Sequence, residues 1–108
     1  MKNQGLDHDT LDEIVRRVVE VAHPERVILF GSAARGEMGR NSDVDLLVVK
    51  DADDERDLAA RIYRNLRGVR VAVDATVVAP ANVERYRDSH ALVIKPALRE
   101  GTVVYEAA

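Results

Sequence analysis

The chain has 108 residues, 46% of them hydrophobic and 32% charged, which fits one globular domain and argues against disorder. Sixteen lysines and arginines against 19 aspartates and glutamates leave a net charge of -3, and aromatics are only 4%. Both numbers argue against a sequence-independent nucleic-acid binder or a base-stacking platform. With no cysteine, disulfides, thiolate metal sites and cysteine nucleophiles are excluded, and a reducing cytoplasm is the expected location.

No apolar run approaches the roughly 20 residues of a membrane span. The polar, acidic stretch 1–10 is unlike a signal peptide. No repeat or linker divides the chain, so a single domain over 1–108 is expected. Leu11, Ile14, Val15, Val18 and Ala22 recur at helical spacing and predict a helix over 10–22. Thr10 with Glu13 reads as a capping box, and Pro24 as the stop. The apolar run 27–30 predicts a buried strand. Three glycines with Ser, Arg and Asn predict a loop over 31–42, and the Val- and Leu-rich 44–49 a second strand.

Asp53 or Asp54 can cap a helix reaching about Arg67, with Leu58, Ile62 and Leu66 as its apolar stripe and Gly68 as its stop. The β-forming stretch 69–78 predicts a third strand, and Pro80 suits the first turn of a short helix. Ser89 is a candidate cap for a helical piece over 92–99, and 102–105 for a final strand. The expected fold class is α/β, with a small mixed sheet of three to four strands flanked by helices.

The chemistry concentrates in two stretches, Phe30-Gly31-Ser32-Ala33-Ala34-Arg35-Gly36 and Asn41-Ser42-Asp43-Val44-Asp45-Leu46. Alternation along a strand points Asp43 and Asp45 the same way. Two carboxylates on one face repel unless a cation sits between them, and hard oxygen ligands suit Mg²⁺. Taken alone, the pair is more often an Asp-rich turn before a strand. Gly31-Ser32 ends a predicted strand, where backbone N–H groups and the Ser32 hydroxyl can hold a phosphate. Arg35 adds a fork-shaped cation for phosphate oxygens. The plain alternative is a Gly-Ser turn with a solvated arginine. A two-metal site needs a third carboxylate from another strand, and Asp74 is the candidate. Its alternative role is a water-facing side chain on an edge strand. Asp51, Asp53, Asp54 and Asp57 lie in a hydrophilic stretch that suits solvation better.

Gly31-Ser32, ten residues, then Asp43-Val44-Asp45 resembles the nucleotidyltransferase superfamily that includes DNA polymerase beta and the aminoglycoside nucleotidyltransferases. Ala34-Arg35-Gly36, Ser42, Leu46-Leu47, the Val73-Asp74 strand and the closing Leu98-Arg99-Glu100-Gly101-Thr102-Val103-Val104-Tyr105-Glu106 are similar in particular to minimal nucleotidyltransferases. Ala75 departs from the larger apolar residue often found after the third Asp, which bears on packing. The resemblance implies a polymerase beta-like palm, ATP as donor, Mg²⁺, and transfer of a nucleoside monophosphate to a hydroxyl. Asp43 and Asp45 would ligate both metals. Asp74 would ligate the catalytic metal and assist deprotonation of the acceptor. Gly31, Ser32, Arg35 and Ser42 would bind the nucleotide.

The resemblance also implies a partner, a HEPN-domain ribonuclease toxin adenylylated on a tyrosine, with this chain as antitoxin in a hetero-oligomer. Only about 30 residues follow Asp74, so the acceptor is expected to come from a partner. Two alternatives stay open: an antitoxin that neutralises by binding alone, and a nucleotidyltransferase acting on a small molecule or an RNA end. Other features carry less. Arg61, Arg64 and Arg67 read as a solvated helix face, Tyr86 as a core tyrosine between Arg85 and Arg87, and Tyr63 and Tyr105 as packing residues. His8, His23 and His90 lack ligand spacing.

Overall fold

The computed structural model describes residues 7–31, 43–85 and 101–108. Helix α1 spans His8–Ala22, with Ile14, Val18 and Ala22 of the expected stripe buried. It starts two residues earlier than expected. Asp7 occupies the N-cap position, and the Thr10 hydroxyl reaches back to Asp7 Oδ2 at 3.3 Å. Glu13 forms no capping box, because with Asp7 at the N-cap both Thr10 and Glu13 lie inside the helix; its carboxylate pairs with Arg16 and Arg17, at 2.5 and 2.7 Å. The helix ends where His23 turns left-handed (φ 46°) and its N–H bonds Val19 O. The buried Pro24 follows, and proline has no N–H to continue the helix.

Strand β1 spans Arg26–Phe30 and β2 spans Val44–Val49. They pair antiparallel, with Phe30 opposite Asp45. Helix α2 follows over Glu55–Asn65, where Asp54 accepts a hydrogen bond from Asp57 N–H at 3.1 Å. It returns the chain to β3, Val73–Val78, which lies parallel to β2. Helix α3 spans Pro80–Arg85, and β4, Thr102–Glu106, pairs antiparallel with β1. The sheet order β3-β2-β1-β4 is mixed, as expected. β3 begins four residues later than expected. Val69 and Val71 pack against the core instead of pairing, and the ladder opens with Val44 opposite Val73.

Both faces of the two central strands are covered. Val27, Leu29, Val44, Leu46 and Val48 pack under α1 and α2 with Ile14, Val18, Leu58 and Ile62. Ile28, Leu47 and Val49 pack on the opposite face with Val78 and Val83. This explains the unbroken apolar runs of β1 and β2, since a strand covered on both sides has no water-facing positions to alternate with. Arg17 clasps the two long helices together. Its guanidinium donates to Asn65 O at 3.2 Å and Arg67 O at 2.7 Å, while Asn65 Nδ2 donates to Arg17 O at 2.9 Å.

Candidate active site

One end of the sheet gathers the end of β1 and the beginnings of β2 and β3. This follows from topology: β1 runs antiparallel to β2, so its last residue meets the second residue of β2. β3 runs parallel to β2, so the two start together. Asp45 and Asp74 are direct register partners in that parallel ladder. Residues opposite one another in adjacent strands project to the same face, about 4.8 Å apart. That face carries Leu47 and Val49 farther along β2 and Val78 along β3. Asp43 lies two residues before Asp45, immediately ahead of β2, and is exposed.

The electrostatics record this crowding. Burial pushes the Asp45 carboxyl above its ordinary range, and the charges of Asp74 and Asp43 push it further the same way. Gly31 completes the corner. It adopts φ +75°, a left-handed conformation that suits glycine, and a Cβ there would overlap Asp45 Oδ2. The Asp45 carboxylate therefore sits against bare backbone at the end of β1. Asp74 is exposed, since β3 is an outer strand of the sheet, yet it stands beside Asp45 and turned to the same side.

Tyr63 is a member of this corner that its place in the sequence does not reveal. A packing role was expected, but the side chain is 42% exposed and its hydroxyl lies on β3. The oxygen accepts from Ala75 N–H at 2.9 Å, and its proton is within reach of Asp74 Oδ1 and Ala75 O, both at 3.3 Å. Burial of the hydroxyl end raises the Tyr63 pKa, the Ala75 N–H opposes this, and the Asp74 charge adds to the rise. The only sequence signal is its position one residue past Ile62, on the flank of the α2 stripe.

Ser32, Arg35 and Ser42 lie outside the described residues, as do His90, Tyr86, Arg87 and the helix expected over 92–99. Asp53 and Asp54 are exposed around the start of α2, and Asp51 and Asp57 are exposed with them, as a solvated stretch requires. Arg61, Arg64 and Arg67 are exposed, and Arg61 pairs with Asp57 at 3.7 Å. Among the described residues, no three carboxylate or imidazole side chains are drawn together into a ready-made metal cage. No described helix is long and apolar enough to cross a membrane.

Residues 10–100 match the nucleotidyltransferase domain family. The chain belongs to that family and is a nucleotidyltransferase. Two solved structures share its fold. One is a toxin-antitoxin crystallised with AMP-PNP, with TM-score 0.56 and 22% identity over 89% of this chain and 73% of the other. The second is a putative nucleotidyltransferase from Sulfolobus solfataricus, with TM-score 0.53 and 23% identity over 94% of this chain and 91% of the other. No curated protein matches the sequence.

Proposed function

We propose that this single-domain chain is a Mg²⁺-dependent adenylyltransferase that transfers AMP from ATP to a tyrosine hydroxyl of a partner HEPN ribonuclease toxin, acting as its antitoxin in the cytoplasm. The observation that carries the reading is the register pairing of Asp45 with Asp74, beside Asp43 and against Gly31, in a chain of the nucleotidyltransferase family. The similar toxin-antitoxin fold with AMP-PNP supports both the nucleotide and the kind of partner.

Asp45 and Asp74 are register partners with Asp43 two residues before Asp45, and the Asp45 carboxyl is held above its ordinary pKa by burial and by the other two charges; oxygen donors so placed suit a hard divalent cation that would draw them together. Asp43, Asp45 and Asp74 would hold Mg²⁺, which supplies charge neutralisation for the triphosphate and the departing pyrophosphate. Gly31 brings bare backbone to the phosphates, with Ser32, Arg35 and Ser42 as their further ligands. Asp74 takes the proton of the acceptor hydroxyl. The acceptor oxygen forms a bond to the α-phosphorus, the bond from that phosphorus to the bridging oxygen breaks, and pyrophosphate leaves with the electron pair. Positioning and electrostatics carry most of such a reaction.

The test is incubation of the purified chain with α-labelled ATP, Mg²⁺ and the partner. Label on the partner, with one AMP of mass per transfer, is the expected result. A folded wild type that leaves the partner unlabelled overturns the reading. Undiminished neutralisation by Asp43→Asn would instead mean that binding alone silences the partner.

A further inference from the structure

β3 is an outer strand, so alternate residues turn their backbone groups away from the sheet. Ala75 is such a residue, and the Tyr63 hydroxyl stands where a further strand would begin. It accepts the Ala75 N–H at 2.9 Å, which pins the phenolic oxygen. A phenol has one proton to give. Two acceptors lie at 3.3 Å, Asp74 Oδ1 and Ala75 O, and a carboxylate oxygen is the stronger of them. The helix that carries the ring is anchored in the core by Leu58 and the fully buried Ile62 before Tyr63 and by Leu66 after it. An exposed aspartate at the start of an outer strand is thus tied to a rigid helix through one hydroxyl.

We propose that Tyr63 is a positioning residue for Asp74: its hydroxyl, oriented by the Ala75 N–H, holds Oδ1 so that Oδ2 is left to the cation and the acceptor. This rests on the adenylyltransferase reading above. Partners that hydrogen-bond a metal-ligating group fix its orientation, and losing one typically costs about 10- to 100-fold in metal affinity or activity.

The experiment compares wild type with Tyr63→Phe, which keeps the ring and removes the hydroxyl. Calorimetry measures AMP-PNP binding with and without Mg²⁺, and turnover is followed alongside. Tyr63→Phe should weaken the Mg²⁺-dependent part of binding roughly tenfold and lower kcat similarly, with KM for the acceptor and metal-free nucleotide binding unchanged. In an Asp74→Asn background the same change should have no further effect on Mg²⁺ dependence. A lower melting temperature with intact Mg²⁺ dependence would show that the hydroxyl only covers the strand edge, and would overturn the proposal. As a check that needs no variant at residue 63, 3-fluorotyrosine-labelled protein, with signals assigned through Tyr86→Phe and Tyr105→Phe, should shift its Tyr63 resonance on adding Mg²⁺ and AMP-PNP. An unmoved resonance would overturn the proposal as well. Wild type that binds no Mg²⁺ and AMP-PNP removes the Mg²⁺-dependent adenylyltransferase reading itself. Wild type that binds, with Tyr63→Phe its equal, removes only the role of Tyr63.

Discussion

Gly31 and Asp45 occupy one another's space so closely that a methyl group on the Gly31 Cα would overlap Asp45 Oδ2. The left-handed backbone of Gly31 (φ +75°) adds a second reason for glycine. Gly31→Ala should cost about 1–2 kcal/mol through the backbone alone. The displaced carboxylate should lower transfer by roughly 100-fold, the scale of a misplacement of about 1 Å in a positioned site. Urea unfolding and label transfer measured on the same preparation check both effects. Normal activity in a destabilised Gly31→Ala would separate Asp45 from the chemistry.

The crowding of Asp45 should appear as a pH dependence of stability. Its folded pKa is raised above the ordinary value of 3.8, so between the two values the native chain binds more protons than the unfolded one. Without divalent cation, stability should therefore fall as pH rises through that window. Asp45→Asn lacks this loss, so its stability relative to wild type should grow across the same window and then level off. Urea midpoints of both proteins between about pH 4 and pH 7 measure it. A wild type that gains on Asp45→Asn as pH rises would mean that the carboxylate is compensated rather than repelled.

Asp74 and Asp51 offer a direct contrast between a proposed site acid and a solvated one. Asp74→Asn should lower adenylyl transfer by about 100-fold or more, the usual scale for losing a general base. Asp51→Asn, exposed at the other end of β2, should leave transfer unchanged. Steady-state rates at saturating ATP read the difference.

Arg17 should matter to stability and not to chemistry. Its side chain bonds Glu13 and two carbonyls at the end of α2, joining the helices on the face away from the carboxylates. Arg17→Ala should cost about 1.5–3 kcal/mol, as for a charged group that bonds carbonyls. Activity well below the melting temperature should stay intact. Denaturant unfolding beside transfer assays distinguishes this from a role in the site.

Much of the framework was legible because it rests on local pattern. The 3.6-residue spacing of Ile14, Val18 and Ala22, and of Leu58, Ile62 and Leu66, marked two helices whose buried faces are those residues. The β-branched and leucine runs marked β1 and β2 almost to the residue. The ends were less legible. Thr10 and Glu13 had capping-box spacing, but the helix starts at Asp7, and Glu13 pairs with arginines three and four residues on. Val69 and Val71 are good strand formers, yet they pack as part of a turn and its approach to β3.

Sequence alone determined the acidic pair, the glycine that ends β1 and the family they announce, because those depend on residue type and short spacing. Tertiary structure decided that Asp74 stands in register with Asp45, since only the parallel pairing of β2 and β3 brings residues 29 apart in the chain onto adjacent positions of one face. It also decided what the Tyr63 hydroxyl touches. The edge of β3 exists only once the sheet has formed, and the hydroxyl finds Ala75 and Asp74 there because α2 is packed across the opposite face.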